Sequence, residues 1–362
     1  MKRFSLILAL VLTTSIIFAM PAIETPTGLY QATDANGRTV SLTSAPEKIL
    51  VAAKAALMPA HALFLFPEAQ RAEIGLSKTD QGLGDFFPLV WPKITVGGRV
   101  DQNASVEELM TKNSDLILLK ATHFESLGKG LDQVSVPNFT LSLETWDEWK
   151  AELPQLGKLL GNEARANEIL GLYEDRMKII EERVSSLADD QKPTVLLLQG
   201  TLTDNTYSFK IAPDSWLQTW MVDLVGAKPV WKGSNKAANG WSTVSFEQIA
   251  AWNPEYIVTI SYNSPSSEYR DAIYASSLYS DLTAVKNHAV LASPADLMNY
   301  IQPVASWVLG AQWLAKTLHP ELFSDLDIEA QVRSFYHDFY SITDSAVLDE
   351  LVGYYHASVE SN

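Results

Sequence analysis

The stretch from Ala164 to Ala188, ARANEILGLYEDRMKIIEERVSSLA, constrains the fold of this chain more than any other. Ala166, Ile169, Leu170, Tyr173, Met177, Ile180, Val184 and Leu187 recur at steps of three and four, so they form one apolar stripe on a helix. Glu174, Asp175, Arg176, Glu181, Glu182 and Arg183 fill much of the remaining surface. At 1.5 Å rise per residue such a helix is roughly 37 Å long, enough to cross a small domain. Sequence that alternates strand-like and helix-like runs lies on both sides of it. The expected role is a rigid spine between two lobes.

A repeat supports the same division. Residues 104–118 read ASVEELMTKNSDLIL and residues 244–258 read VSFEQIAAWNPEYIV, one copy on each side of the spine. Ser105 matches Ser245, Glu107 matches Glu247, Asn113 matches Asn253, and Asp115 matches Glu255. Ser105 with Glu108, and Ser245 with Gln248, have capping-box spacing. Each copy therefore predicts a short helix starting at its Ser, an Asn-centred turn and a buried strand, Asp115–Leu119 or Glu255–Ile260.

The chain begins with Lys2 and Arg3, an apolar run from Phe4 to Phe18, and then Ala19-Met20-Pro21-Ala22. This is the pattern of a secretory signal peptide, too short for a confident membrane span. The mature start is expected between 20 and 25. There is no cysteine, which removes disulfides, thiolate metal sites, cysteine nucleophiles and a lipidated cysteine together. Formal charge is −16, and −18 without Lys2 and Arg3. That balance argues against nucleic acid and anionic membranes, which demand a basic face. With 47% apolar residues, the mature chain can build two domains with real cores.

In the first lobe, Gln31 to Leu42 with Asn36-Gly37 predicts a hairpin. Strands are expected at Lys48–Ala53, Ile94–Val96, Asp115–Leu119 and Asn138–Leu143, and helices at Ala56–Phe66 and Trp146–Leu160. In the second, strands are expected at Thr194–Gln199, Tyr207–Ile211, Glu255–Ile260 and Ala289–Ala292. Helices are expected at Ser215–Val225, capped by Asp214 or Ser215, and at Pro303–Leu318, Ile328–Tyr340 and Val347–His356. The fold class is α/β: two Rossmann-like lobes with mostly parallel sheets, joined by one long rigid α-helix. The expected divisions are a signal peptide over 1–22, an N-terminal lobe over 28–160, the connecting helix over 161–190, a C-terminal lobe over 191–345 and a helical extension over 346–362.

No catalytic motif is present: no G-x-S-x-G, H-E-x-x-H, Walker loop or G-x-G-x-x-G. No two of the six histidines lie three to five residues apart, so no local metal site, catalytic residue or resident cofactor is expected. Ligands of parallel α/β sheets bind at the carboxyl ends of strands. Lys54 follows the first strand of lobe one, Arg99 follows the second after an expected Gly97-Gly98 turn, and Lys120 follows the third with His123 close behind. His61 lies on the helix after Lys54. None of the three cations has an acid directly beside it in sequence, which suggests a cleft for something anionic. In lobe two the matching places run from Thr201 to Tyr207, from Asn235 to Trp241, and to Tyr262. Tyr207, Trp241 and Tyr262 would suit a ligand with an apolar or ring-like body.

The strand start EKILVAA, the segments VGGRVDQNASVEELMTKNSDLILL and WSTVSFEQIAAWNPEYIVTI, and the ending WLAKTLHPELFSDLDIEAQVRSFYHDFY, in this order, resemble the class III substrate-binding proteins of bacterial ABC importers. These carry ferric siderophores, haem, cobalamin and, in some members, molybdate or tungstate. The resemblance covers roughly 28–340. It implies two α/β lobes on a rigid helix, a monomer free in the periplasm, a small metal chelate or oxyanion as ligand, and a permease dimer with its ATPase as partner. It also implies an acid on each lobe that docks onto permease arginines, and those acids fall on Glu107 and Glu247. The alternative is an exported α/β metalloenzyme or chelatase-like protein with a long-range metal site. Which chelate or anion is carried stays open at this point.

Overall fold

The runs KILVA, EIGLS, LILLK and NFTL are buried almost throughout, the pattern of parallel strands covered by helices on both faces. A computed structural model of the chain describes residues 30–78, 81–91, 95–237 and 240–360. The expected signal peptide over 1–22 and the expected strand start at Ile94 lie outside them. A hairpin of β1 (Tyr30–Thr33) and β2 (Thr39–Leu42) precedes the first sheet. That sheet holds β3 (Lys48–Ala52), β4 (Glu73–Ser77), β5 (Thr95–Val100), β6 (Leu116–Lys120) and β7 (Asn138–Leu141). Its order is β5-β4-β3-β6-β7, and every pair is parallel. Alternate residues serve two cores. Ile49, Val51, Leu116 and Leu118 face the one shared with the second lobe, while Leu50, Ala52, Ile117 and Leu119 face the other.

Two details differ from the sequence reading. β4 was not expected, because EIGLS is short and interrupted by glycine. The strand expected at Ile94–Val96 continues to Val100, so Gly97-Gly98 is no turn, and Arg99 lies inside β5 opposite Leu76. Three steps along β5, from Val96 to Arg99, match two along β4, from Ile74 to Leu76. The glycine pair therefore sits at a β-bulge, a place where strand glycines concentrate.

The second sheet holds β8 (Thr194–Thr203), β9 (Thr206–Ile211), β10 (Lys228–Pro229), β11 (Ser242–Val244), β12 (Tyr256–Ile260) and β13 (Val290–Ala292). Its path is β11-β9-β8-β12-β13, with β10 on the start of β8. β10, β12 and β13 pair in parallel, whereas β9 and β11 add an antiparallel edge. The helix expected from Ser215 starts at Leu217, and Asp214 does not cap it but accepts from the Gly233 N–H at 2.8 Å. The helix expected from Pro303 starts at Trp307.

The repeat is structural. The Ser105 and Ser245 hydroxyls each accept from the N–H three residues on, at 3.3 Å. The return half of the capping box is absent from both helices. Asn113 and Asn253 take left-handed conformations, with φ of 49° and 38°. The matched acids share a role that sequence did not show. Asp115 accepts from the N–H groups of Glu47 and Lys48, and Glu255 from Thr194 N–H, so each ties the start of its lobe's central strand.

The connecting helix runs Glu163–Val184, capped by the Asn162 side chain on the Arg165 N–H. It stops short of Leu187, but Ala166, Ile169, Tyr173, Met177, Ile180 and Val184 are buried along one stripe as expected. Arg176, assigned by sequence to the polar face, is buried too. Its guanidinium bonds Gln331, Ser334 and Asp338 on the helix Ile328–Tyr340. That later helix also reaches the first lobe, where the Tyr340 hydroxyl lies 2.8 Å from His61 Nδ1, and the spine, where Arg165 donates to the carbonyls of Asp338 and Phe339. The lobes are thus fixed to each other through the spine and through this second helix. Among the described residues, no helix is long and apolar enough to cross a membrane.

Candidate functional site

A cavity of about 500 Å³ opens at the carboxyl end of the first sheet, against the second lobe. Ser77 and Lys78 reach it from the end of β4, and Arg99 from β5. Leu57, Ala60, Phe86 and Phe87 make an apolar wall, and Met298 closes the side toward lobe two. The segment Gln81–Asp85 forms the seam. Gly82 N–H donates to the Tyr262 carbonyl at 2.5 Å, and Leu83 N–H to the Leu297 carbonyl at 2.8 Å. Gly82 has φ +96°, a backbone shape that favours glycine; the Met298 methyl, 2.5 Å from where a Cβ would stand, ends a flexible side chain and could move aside.

Of the eight residues proposed from sequence, Arg99 lines this cavity. Its guanidinium holds Asp85 at 2.8 Å. Lys120 is placed differently. It is buried, with Nζ 2.8 Å from Glu144 Oε1, 2.7 Å from Met58 Sδ and bonded to the Ser142 carbonyl. Both cations therefore have acids beside them, brought from 14 and 24 residues away, which neighbours in sequence could not show. Lys54 is exposed between Ala53 and Ala55, whose φ of 71° and 55° are left-handed, a strained turn for alanine. His123 is half-buried, and its pKa is lowered by burial and then by the charges of Lys54 and Lys120. Lys54, Lys120 and His123 thus gather at the ends of β3 and β6.

His61 sits behind the apolar wall, its ring 4.6 Å from Phe86 and 5.1 Å from Phe87. Burial pushes its pKa down to about 3, so it is neutral at physiological pH. Tyr262 is buried at the seam, its hydroxyl accepting from Gln218 Nε2 at 3.0 Å, and burial raises its pKa. Trp241 meets Tyr262 and Trp216 edge-on. Tyr207 is exposed on the β8–β9 hairpin, against Tyr269. Sequence reasoning missed Ser77, Lys78 and the Phe86-Phe87 wall. Lys78 follows β4, so finding that strand would have added it as a fourth strand-end cation.

Behind Lys120, Glu152 Oε2 accepts from the Ser142 N–H at 2.7 Å, and burial raises its pKa to about 8. The folded state therefore holds this proton more tightly than the unfolded chain. The resulting stability is complete below about pH 4.5 and is lost as pH rises through 8. Glu152→Gln keeps the neutral form. Its stability relative to wild type should rise by on the order of 2 kcal/mol between pH 5 and 8 in urea melts. A constant difference would contradict this.

Glu107 and Glu247 are exposed, in the first turns of Val106–Met110 and Phe246–Trp252. Each carboxylate is held below the usual glutamate range by its own backbone N–H and then by the hydroxyl of the capping Ser. Both are thus charged at any physiological pH, in matching settings on the two lobes.

Residues 39–297 match the family of periplasmic binding proteins, and the chain belongs to that family. It is 23% identical to the uncharacterized ABC transporter substrate-binding lipoprotein YvrC of Bacillus subtilis over 301 residues, 81% of this chain and 86% of that one. It is 24% identical to the ferric enterobactin-binding periplasmic protein FepB of Escherichia coli over 295 residues, 78% of this chain and 90% of that one. Its fold matches the crystal structure of the molybdate-binding protein MolA of Haemophilus influenzae with a TM-score of 0.67 and 20% identity, covering 87% and 98% of the two chains. The two lobes on a connecting helix are the architecture of these solute-binding proteins.

Proposed function

We propose that this chain is exported to the periplasm, its 1–22 segment removed, and carries an anionic metal chelate to an ABC importer as a monomer that catalyses nothing. The ligand sits between the 28–160 and 191–345 lobes, and the permease dimer with its ATPase receives it at Glu107 and Glu247. The observation that carries this reading is the inter-lobe cavity, with Lys78 and the Asp85-paired Arg99 at one edge and an apolar wall at Leu57, Phe86, Phe87 and Met298. Its 500 Å³ is far more than a bare tetrahedral oxyanion fills. A ferric siderophore or haem uses both the volume and the apolar wall; molybdate would use only the cationic edge. The alternative of an exported metalloenzyme has no support in a family of solute-binding proteins.

A thermal-shift panel of ferric chelates, haem, cobalamin, molybdate and tungstate tests the reading. A ligand at a hundred times its Kd adds about 2.7 kcal/mol to the folded state. Arg99→Ala should weaken that ligand by about 1.5–3 kcal/mol, the range for a charge-assisted hydrogen bond. The melting temperature without ligand should hardly change, because the Arg99–Asp85 pair is exposed. Unchanged binding by Arg99→Ala would place the ligand elsewhere.

A further inference from the structure

Asp85 stands at the N-cap of the short helix Phe86–Val90, yet its side chain makes no capping bond. An aspartate at this position ordinarily accepts from the second or third helical N–H. Here its carboxylate lies 2.8 Å from Arg99 Nη2, on the wall of the cavity that both residues line. Pro88 occupies the third helical position and has no N–H, which leaves Phe87 N–H as the capping partner within reach.

We propose that Asp85 is a specificity-determining residue of the cleft: an internal anion that occupies Arg99 until a ligand with stronger acceptors displaces it. The inference rests on the cleft reading above. The displaced carboxylate turns to the Phe87 N–H that it now leaves uncapped, so displacement costs little, and a weakly basic or neutral ligand gains nothing by trying. The pair is solvent-exposed on both sides, 37% and 62%, which keeps the exchange within range of an ordinary ligand. The Asp85 charge also opposes any anion entering beside it, so the site filters ligands by charge density as well as by shape.

The test uses trianionic iron(III) tris-catecholate as probe, titrated at low ionic strength and followed by tryptophan fluorescence. Asp85→Asn should bind about three- to tenfold more tightly than wild type, since one exposed ion pair and one like-charge contact are removed. In an Arg99→Ala background the same substitution should give a clearly smaller gain, because only the like-charge contact is then removed. Equal Kd values for wild type and Asp85→Asn would overturn the role of Asp85 while leaving the cleft reading standing. An equal gain in both backgrounds would also overturn it, because that is charge repulsion without competition for Arg99. Wild-type binding that Arg99→Ala leaves untouched would instead overturn the cleft reading, and no binding to any of these proteins would overturn both.

Discussion

Tyr173→Ala should lower stability by about 3–5 kcal/mol, the cost of emptying a fully buried aromatic site. Tyr173 is the middle of the connecting helix. Its ring stacks on Trp307 at 5.0 Å with 6° between planes, and meets Phe339 at 4.7 Å and Trp149 at 5.8 Å edge-on. Its hydroxyl donates to the Ala305 carbonyl at 2.7 Å. Trp149 belongs to the helix Trp146–Leu160 of the first lobe, while Trp307 and Phe339 follow the second sheet. One side chain thus joins three helices that hold the lobes together. Tyr173→Phe keeps the ring and should cost only about 1 kcal/mol, the worth of one hydrogen bond plus its orphaned acceptor. Equilibrium urea unfolding of both variants separates packing from polarity. A loss below 1 kcal/mol for Tyr173→Ala would mean that the spine is not where the lobes are joined.

The second large effect is expected in cells. Glu107→Arg together with Glu247→Arg should cut uptake at least tenfold while leaving ligand affinity unchanged, and each single reversal should fall between. Under the proposed docking, each reversal would replace a charge-assisted contact by a like-charge clash against the permease, an effect of about 2–5 kcal/mol for an interfacial pair. The two helices are related by the repeat, so a two-fold permease can meet both acids at once. Raised salt should weaken the wild-type complex and leave the double variant's residual binding less affected. Normal uptake by the double variant would reduce both residues to acids favoured by a helix start.

The large elements were legible because their signals are local. The stripe from Ala166 to Val184 and the helix Trp146–Leu160 need only helical periodicity; the Thr145–Glu148 capping box that starts the latter was added by the structure. The repeat was legible because Ser105, Asn113 and their counterparts mark helix start and stop by side-chain and backbone chemistry. β4 was hidden, since Glu73–Ser77 carries glycine at its centre and no alternation. The cleft was only partly legible. Strand-end logic found Arg99, but not that Asp85 holds it. It also found Lys120, whose charge is taken up by Glu144 in a buried cluster. Such partners arrive through sheet order and loop path, which neither spacing nor composition encodes. His61 looked available as a ligand contact, and the packing of Phe86 and Phe87 over it puts it behind the wall.

The central claim, that the cleft at Arg99 carries a metal-bearing anion, is tested most directly by metal analysis of protein taken from the periplasm without refolding. Wild-type protein should carry about one metal per chain, and Arg99→Ala, whose ligand-free form melts like ligand-free wild type, should carry much less. Equal metal in both proteins would contradict the account.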